Sequence, residues 1–266
     1  MCRCSMYKVL IHLVFLGIAS SSAPGFSKGA AQKGLEFVNK SDRLNQGFGG
    51  EKANLKMIIT TANGASVERK IEILTKEMAK DGDRTLITFH WPLDVKGTKM
   101  LTWGHKEGDD DQWLYLPALR KIKRISARNK TGSFMGSEFS FEDLGGQEIE
   151  KYHHKFVKKA PLQGKSGTII ERVPKDDKSG YSRQMVYYQD DHLQVVKIEY
   201  FDRKNEILKT ADFGPYSKIG GFWRTAYIDM KNHQTGKKSR LEWDMNLRKV
   251  GVKLDDEEFE RDSLTD

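Results

Sequence analysis

The sequence predicts a mainly β protein: one large, curved antiparallel sheet or open barrel of about ten or eleven strands, with a helix before it and a short one after it. Short runs rich in β-branched and aromatic residues recur along most of the chain. Turn signals separate them, not crossover helices: Asn63-Gly64, Asp81-Gly82-Asp83, Pro92, Asp202 to Asn205 and His233 to Lys237. Finally, Leu241, Trp243, Met245 and Leu247 alternate with Arg240, Glu242, Asp244 and Asn246, giving Ser239 to Leu247 one apolar and one wet face. An all-β sandwich is the competing architecture, whereas an α/β fold lacks the helices it needs.

The chain begins with Arg3 and Lys8 flanking an apolar run, Val9 to Ala19, followed by Ser20, Ser21, Ser22 and Ala23. This is the layout of a secretory signal over residues 1–23, with cleavage expected between 21 and 27. The run is about half the ~20 residues of a spanning helix, so a retained anchor is the weaker reading. No cysteine follows the run to accept a lipid, and Cys2 and Cys4 leave with the signal. The expected mature chain, 28–266, is a single cysteine-free domain, soluble in the periplasm and not itself a lipoprotein. Without cysteine it has no disulfides, thiol catalysis or Cys-based zinc sites. At 38% hydrophobic it can bury one large core.

Ala30 to Phe48 has helical spacing at Leu35 and Val38, with Gly47 as a stop. Strands follow over Leu55 to Thr61, Val67 to Met78, Arg84 to Trp91 and Thr98 to His105. Later strands cover Tyr152 to Ala160, Thr168 to Val173, Gln184 to Tyr188, Val195 to Phe201, Ile207 to Phe213, Phe222 to Lys231 and Ser239 to Leu247. Asp255 to Leu264 reads as a short helix with Asp255 as cap and acids in its first turn.

Between these two groups, Gln112 to Leu144 concentrates three chemistries. Gln112 to Pro117 is a strand with Trp113 and Tyr115 on one face and Leu114 and Leu116 on the other. Next, Arg120, Lys121, Lys123, Arg124, Arg128 and Lys130 place six cations in eleven residues, tethered by Ile122 and Ile125. They suit an anionic partner, or equally a solvated edge strand protected from further pairing. Gly132 to Phe141 then carries Phe134, Met135, Phe139 and Phe141 between glycines, an apolar loop that must cover something. Trp113, Tyr115, Trp243 and Met245 belong to a run of aromatic and methionine side chains that reads as ordinary core residue by residue. Together they suit a cavity for varied apolar ligands.

WLYLPALRKIKRIS followed by GSFMGSEFSFEDL resembles the outer-membrane lipoprotein-sorting family, the LolA-like periplasmic proteins often associated with exporters of the RND superfamily. KIEYFDRKNEILKT, GGFWRTAYIDMKNHQTGKKSRLEW and DDEEFERDSL extend the likeness towards the C-terminus. The resemblance implies an open antiparallel half-barrel that shelters a lipid or acyl chain. On that reading Trp113, Tyr115, Phe134, Met135, Phe139, Trp243 and Met245 line or gate the cavity. Arg120, Lys121, Lys123, Arg124 and Arg128 then hold an anionic headgroup or dock a surface.

Catalytic and metal motifs are not found. Gly164-Lys165-Ser166 lacks the upstream glycine of a phosphate loop and reads as a turn. His153-His154 would point to opposite strand faces, which suits solvated or edge histidines better than one metal. The formal charge of +8 and pI near 9.2 permit anionic lipid, while the secretory signal argues against nucleic acid. Two functions compete: a cofactor-free lipid or lipoprotein carrier working towards the outer membrane, and a non-lipid-carrying periplasmic adaptor or scaffold for an exporter. Neither is an enzyme.

Overall fold

The computed structural model describes residues 27–265. The expected signal, residues 1–23, lies outside the described residues. Helix α1 (Lys28–Arg43) comes first. The first half of the sheet follows as β1 (Gly50–Thr60), β2 (Ser66–Lys76), β3 (Arg84–Trp91), β4 (Lys99–Trp103), β5 (Asp111–Leu116) and β6 (Lys121–Ile125). After a covering loop, residues 126–148, come β7 (Tyr152–Leu162), β8 (Lys165–Pro174), β9 (Arg183–Gln189), β10 (Gln194–Phe201) and β11 (Ile207–Phe213). The chain continues through β12 (Tyr216–Ile219), β13 (Phe222–Thr225), β14 (Tyr227–Asn232), β15 (Lys238–Trp243) and β16 (Lys249–Val250).

Fourteen of these strands form one antiparallel sheet, ordered β6-β5-β4-β3-β2-β1-β15-β14-β11-β10-β9-β8-β7, with β16 beside β1; β12 and β13 form a separate hairpin. Strands β6 and β7 end the sheet without pairing, so it is open. The expected ten or eleven strands were too few. The hairpin strands are four residues long and β16 only two, too short to show a period. Phe222 to Lys231, read as one strand, breaks at Ala226, whose N–H donates to Pro215 O.

Other boundaries also shift. The N-terminal helix stops at Arg43, short of Gly47. Ser239 to Leu247 ends as a strand at Trp243, because Asp244 Oδ1 accepts the N–H groups of Asn246 (3.0 Å) and Leu247 (3.3 Å) and turns the chain. Met245 therefore sits in a turn. The terminal helix is instead two 3-10 turns, Asp256–Phe259 and Arg261–Thr265, the first closed by the Asp255 N–H donating to the Glu258 carboxylate at 3.2 Å.

Strand alternation sorts the apolar side chains onto two faces. The inner face carries Met57, Phe89, Met100, Leu114, Ile170, Ile198, Met230 and Leu241 in one cluster that spans both halves of the sheet. The outer face of β2–β5 buries Leu74, Leu86, Leu101 and Trp113 under Phe259 and Leu264 of the terminal turns. Helix α1 lies against β7, with Val38 in the inner cluster and the Phe37 ring edge-on to Tyr188 at 5.1 Å. Gly34 permits that approach: a Cβ there would stand 2.7 Å from Phe156 N.

Candidate functional site: an apolar cavity under a covering loop

Residues 132–141 fold back on themselves. The Phe134 N–H donates to Phe139 O at 2.7 Å, the Phe141 N–H to Gly132 O at 3.1 Å, and the reversal passes through Met135 and Gly136 at φ 51° and 78°. A β-strand continuation would leave three phenylalanines in water. The reversal instead drives Phe134 (0% exposed) and Phe139 (4%) into the inner cluster, with the Phe134 ring 5.7 Å from those of both Phe89 and Phe141.

Both halves of the sheet hold this loop. From β2, Arg69 Nη1 donates to Met135 O at 2.5 Å, and from β5, Gln112 Nε2 donates to Phe141 O at 3.0 Å. From the other half, Ser239 Oγ accepts the Glu138 N–H (2.9 Å) and Asn232 Nδ2 donates to the Glu138 carboxylate (2.7 Å). Lys209 Nζ donates to Glu138 O (2.9 Å) and to Asp143 (2.5 Å), whose other oxygen accepts the Tyr181 hydroxyl at 2.7 Å.

Between α1, the loop and strands β7–β14 lies a cavity of about 360 Å³. Val38, Phe139, Ile198, Phe213, Ile228 and Met230 give it an apolar wall. A polar end is formed by Arg172, His154 and Gln147. Arg172 Nε donates to Gln184 Oε1 (2.5 Å) and Nη2 to Gln147 Oε1 (2.9 Å), with the guanidinium 4.6 Å over the Tyr152 ring. His154 Nε2 lies 3.0 Å from Ile149 O, so it carries the proton and donates. Burial, reinforced by the Arg172 charge, pushes the His154 imidazole down to about 4. A larger cleft of about 520 Å³ opens between the sheet edges, but seven carboxylates line it, from Glu107 to Asp177. Lys130 is paired there with Asp109 and Asp176, and Lys151 with Asp110. The smaller cavity has the more apolar lining of the two.

The structure divides the residues expected to line the site. Phe134, Phe139, Met135 and Trp243 belong to the inner side, and of these only Phe139 lines the cavity. Trp113 and Tyr115 point the other way, because the register that pairs Leu114 with Met100 turns Leu114 inward. Trp113 packs edge-on against Trp103 at 4.9 Å. None of the five expected headgroup cations reaches the cavity. Arg120 lies before β6 in the left-handed region (φ 47°), Arg128 in a 3-10 turn, and Lys121 and Lys123 on the exposed sheet edge. Arg124, on the outer face, is ion-paired with Asp111.

Sequence reading missed the cavity's polar end. His154, taken for a solvated or edge histidine, is on an edge strand but only 8% exposed. Arg172 is equally buried and keeps step with Ile170 and Thr168 on the inner face of β8. A cation in phase with the apolar side of a strand was the available signal. Among the described residues, no group of three or more His, Cys, Asp or Glu could hold a metal ion, and no helix is long and apolar enough to cross a membrane.

The fold has relatives. A domain from Vibrio parahaemolyticus, described as an outer membrane lipoprotein-sorting protein domain, is 39% identical over 89% of this chain and 100% of its own, at a TM-score of 0.86. A DUF1329 family protein from Desulfovibrio piger is 29% identical over 88% of this chain and 99% of its own, at 0.84. A LolA superfamily protein from Nitrosomonas europaea, 17% identical over 88% and 99%, shares the fold at 0.69. Comparison with curated proteins finds no match. The family model that matches, described as "-like: Uncharacterized protein", spans residues 81–266. By the Vibrio relative, the chain belongs to the outer-membrane lipoprotein-sorting family, and it has the LolA-like fold.

Proposed function

We propose that this protein is a periplasmic carrier that shelters the acyl chains of a lipid or lipoprotein on their way towards the outer membrane. The observation that carries this reading is the apolar cavity on the inner face, roofed by a loop that seats Phe139 in its wall. Each exposed methylene costs about 0.8 kcal/mol, so an ordinary acyl chain in water costs on the order of 10 kcal/mol. A protein that moves such chains between membranes needs an enclosed apolar wall, and a mature domain of residues 28–266 provides one. The description of the Vibrio relative as a lipoprotein-sorting domain supports the same reading. An RND-superfamily inner-membrane exporter is the proposed partner, and no catalytic step is part of the function.

Native mass spectrometry of protein prepared without detergent tests the proposal. We expect co-purified lipid in the parent and its loss in Phe139→Asp and Ile198→Asp variants that stay folded. A lipid-free parent that also ignores fluorescent fatty-acid probes would remove the carrier reading. The exposed cations of β6 would then favour the second reading, a docking scaffold for an exporter.

A further inference from the structure

Among the described residues, Arg172 is the only Lys or Arg lining the inner cavity, and it is 8% exposed. Its Nε and Nη2 donate to the neutral side-chain oxygens of Gln184 and Gln147, and it makes no ion pair with any described residue. Nη1 donates to no described protein group. Of the carboxylates on the same wall, Asp143 is matched by Lys209, and Asp42 accepts from Gln46 at 2.5 Å beside the end of α1. Across the β7–β8 pairing stands His154, also 8% exposed, whose Nδ1 is buried without a partner. A guanidinium withdrawn from water with no counter-charge is costly, and chains keep such a group where something else supplies the anion. At one end of the cavity, an inward-facing guanidinium with an unused Nη1, beside a neutral imidazole whose Nδ1 can accept from a hydroxyl, describes a head-group seat.

We infer that the cavity takes an amphiphile with an anionic head, a carboxylate or a phosphate, seated on Arg172 with its chain running along Ile198, Ala211, Phe213 and Met230. This rests on the carrier reading of the same cavity. The planar fork of Arg172 suits either anion, since both offer two oxygens to directed N–H groups. Gln147, from the end of the covering loop, and Gln184, from β9, hold the guanidinium plane in place. The seat is therefore formed before a ligand arrives.

Titration calorimetry with three single-chain probes of equal length tests the inference: palmitate, 1-palmitoyl lysophosphatidate and the neutral 1-palmitoylglycerol, at about pH 8 and at low and high salt. We expect at least one anion to bind about tenfold or more tightly than the neutral probe, a preference that persists at high salt because the contact is buried. In Arg172→Gln and Arg172→Met the ratio should fall to near one. A preference for palmitate alone or lysophosphatidate alone would assign the head to carboxylate or phosphate. Equal binding of all three probes to the parent would overturn the inference and leave the carrier reading standing; no binding of any would remove both. Should the Arg172 variants fail to fold, the parent's own ratio and its salt dependence decide.

Discussion

Lys209 and Asp143 are 5% and 4% exposed and only 2.5 Å apart, between the rings of Tyr181 and Tyr200, each 5.3 Å from the ammonium. Desolvation makes such a pair a weak source of net stability but a severe liability when halved. Lys209→Met should therefore lose about 3–5 kcal/mol in denaturant unfolding, and adding Asp143→Leu should recover part of it. Additive losses would show that the two groups are not coupled. Glu148 supplies a pH signature. Burial, with the charge of Asp83 adding and Lys151 opposing, pushes its carboxyl up to about 7 from 4.5. The folded chain then holds a proton that the unfolded chain releases, so this contribution is complete below pH 4.5 and disappears as pH rises through 7. His154, pushed down to about 4, has the opposite sign: its contribution is present above the unfolded value of 6.5 and is lost as pH falls through 4. Glu148→Gln should gain on the parent in thermal unfolding as pH rises from 4.5 to 7, and a difference independent of pH would contradict the assignment.

The covering loop is an element without regular structure, held by hydrogen bonds from both halves of the sheet. Arg69 and Asn232 are the clearest single ties, one from each side. A hydrogen bond involving a charged group contributes about 1.5–3 kcal/mol, so Arg69→Met or Asn232→Leu should speed amide exchange in residues 130–144 by roughly ten- to a hundredfold. Exchange in β8–β10 should be unchanged; a uniform rise would mean global destabilisation instead of a released loop. Much of this scale was legible in the sequence. Period-two alternation locates Leu241 and Trp243 on an inner face, and three phenylalanines between glycines announce a loop that must bury itself. What could not be read was which apolar face encloses a cavity, because β3–β5 bury both. Trp113 is covered by Phe259 and Leu264, and no local pattern reveals a partner so remote in sequence. Arg172 was hidden for the opposite reason: of the two adjacent charges in TIIERV, Glu171 and Arg172, only the register with Val186 and Gln184 fixes which faces inward.

At the scale of the whole molecule, a formal charge of +8 meets a sheet left open at both edges, and β6 brings part of that charge to one edge. Lys121 and Lys123 stand opposite Leu116 and Leu114 on the inner side of that edge, exposed, while Arg124 stands opposite Trp113 on the outer side and is ion-paired with Asp111. Fork geometry alone would make the arginines the stronger anion ligands. Arg124 already has its carboxylate and Arg120 lies outside the strand, so we expect the lysines to contribute more to a bilayer contact. Each free lysine near an anionic bilayer contributes about 1 kcal/mol, screened over about 8 Å at physiological salt. Lys121→Gln/Lys123→Gln should therefore weaken binding to phosphatidylglycerol vesicles by about tenfold or more at low salt and by little at high salt. Arg124→Gln should change it less, since Arg124 stands on the outer side of the edge beside the opposite charge of Asp111. Vesicle sedimentation of both variants at two salt concentrations separates the cases. Equal, salt-sensitive losses would make the edge one diffuse basic surface. No loss in either would leave the lysines with the other task an exposed edge strand requires, keeping a second sheet from pairing with it.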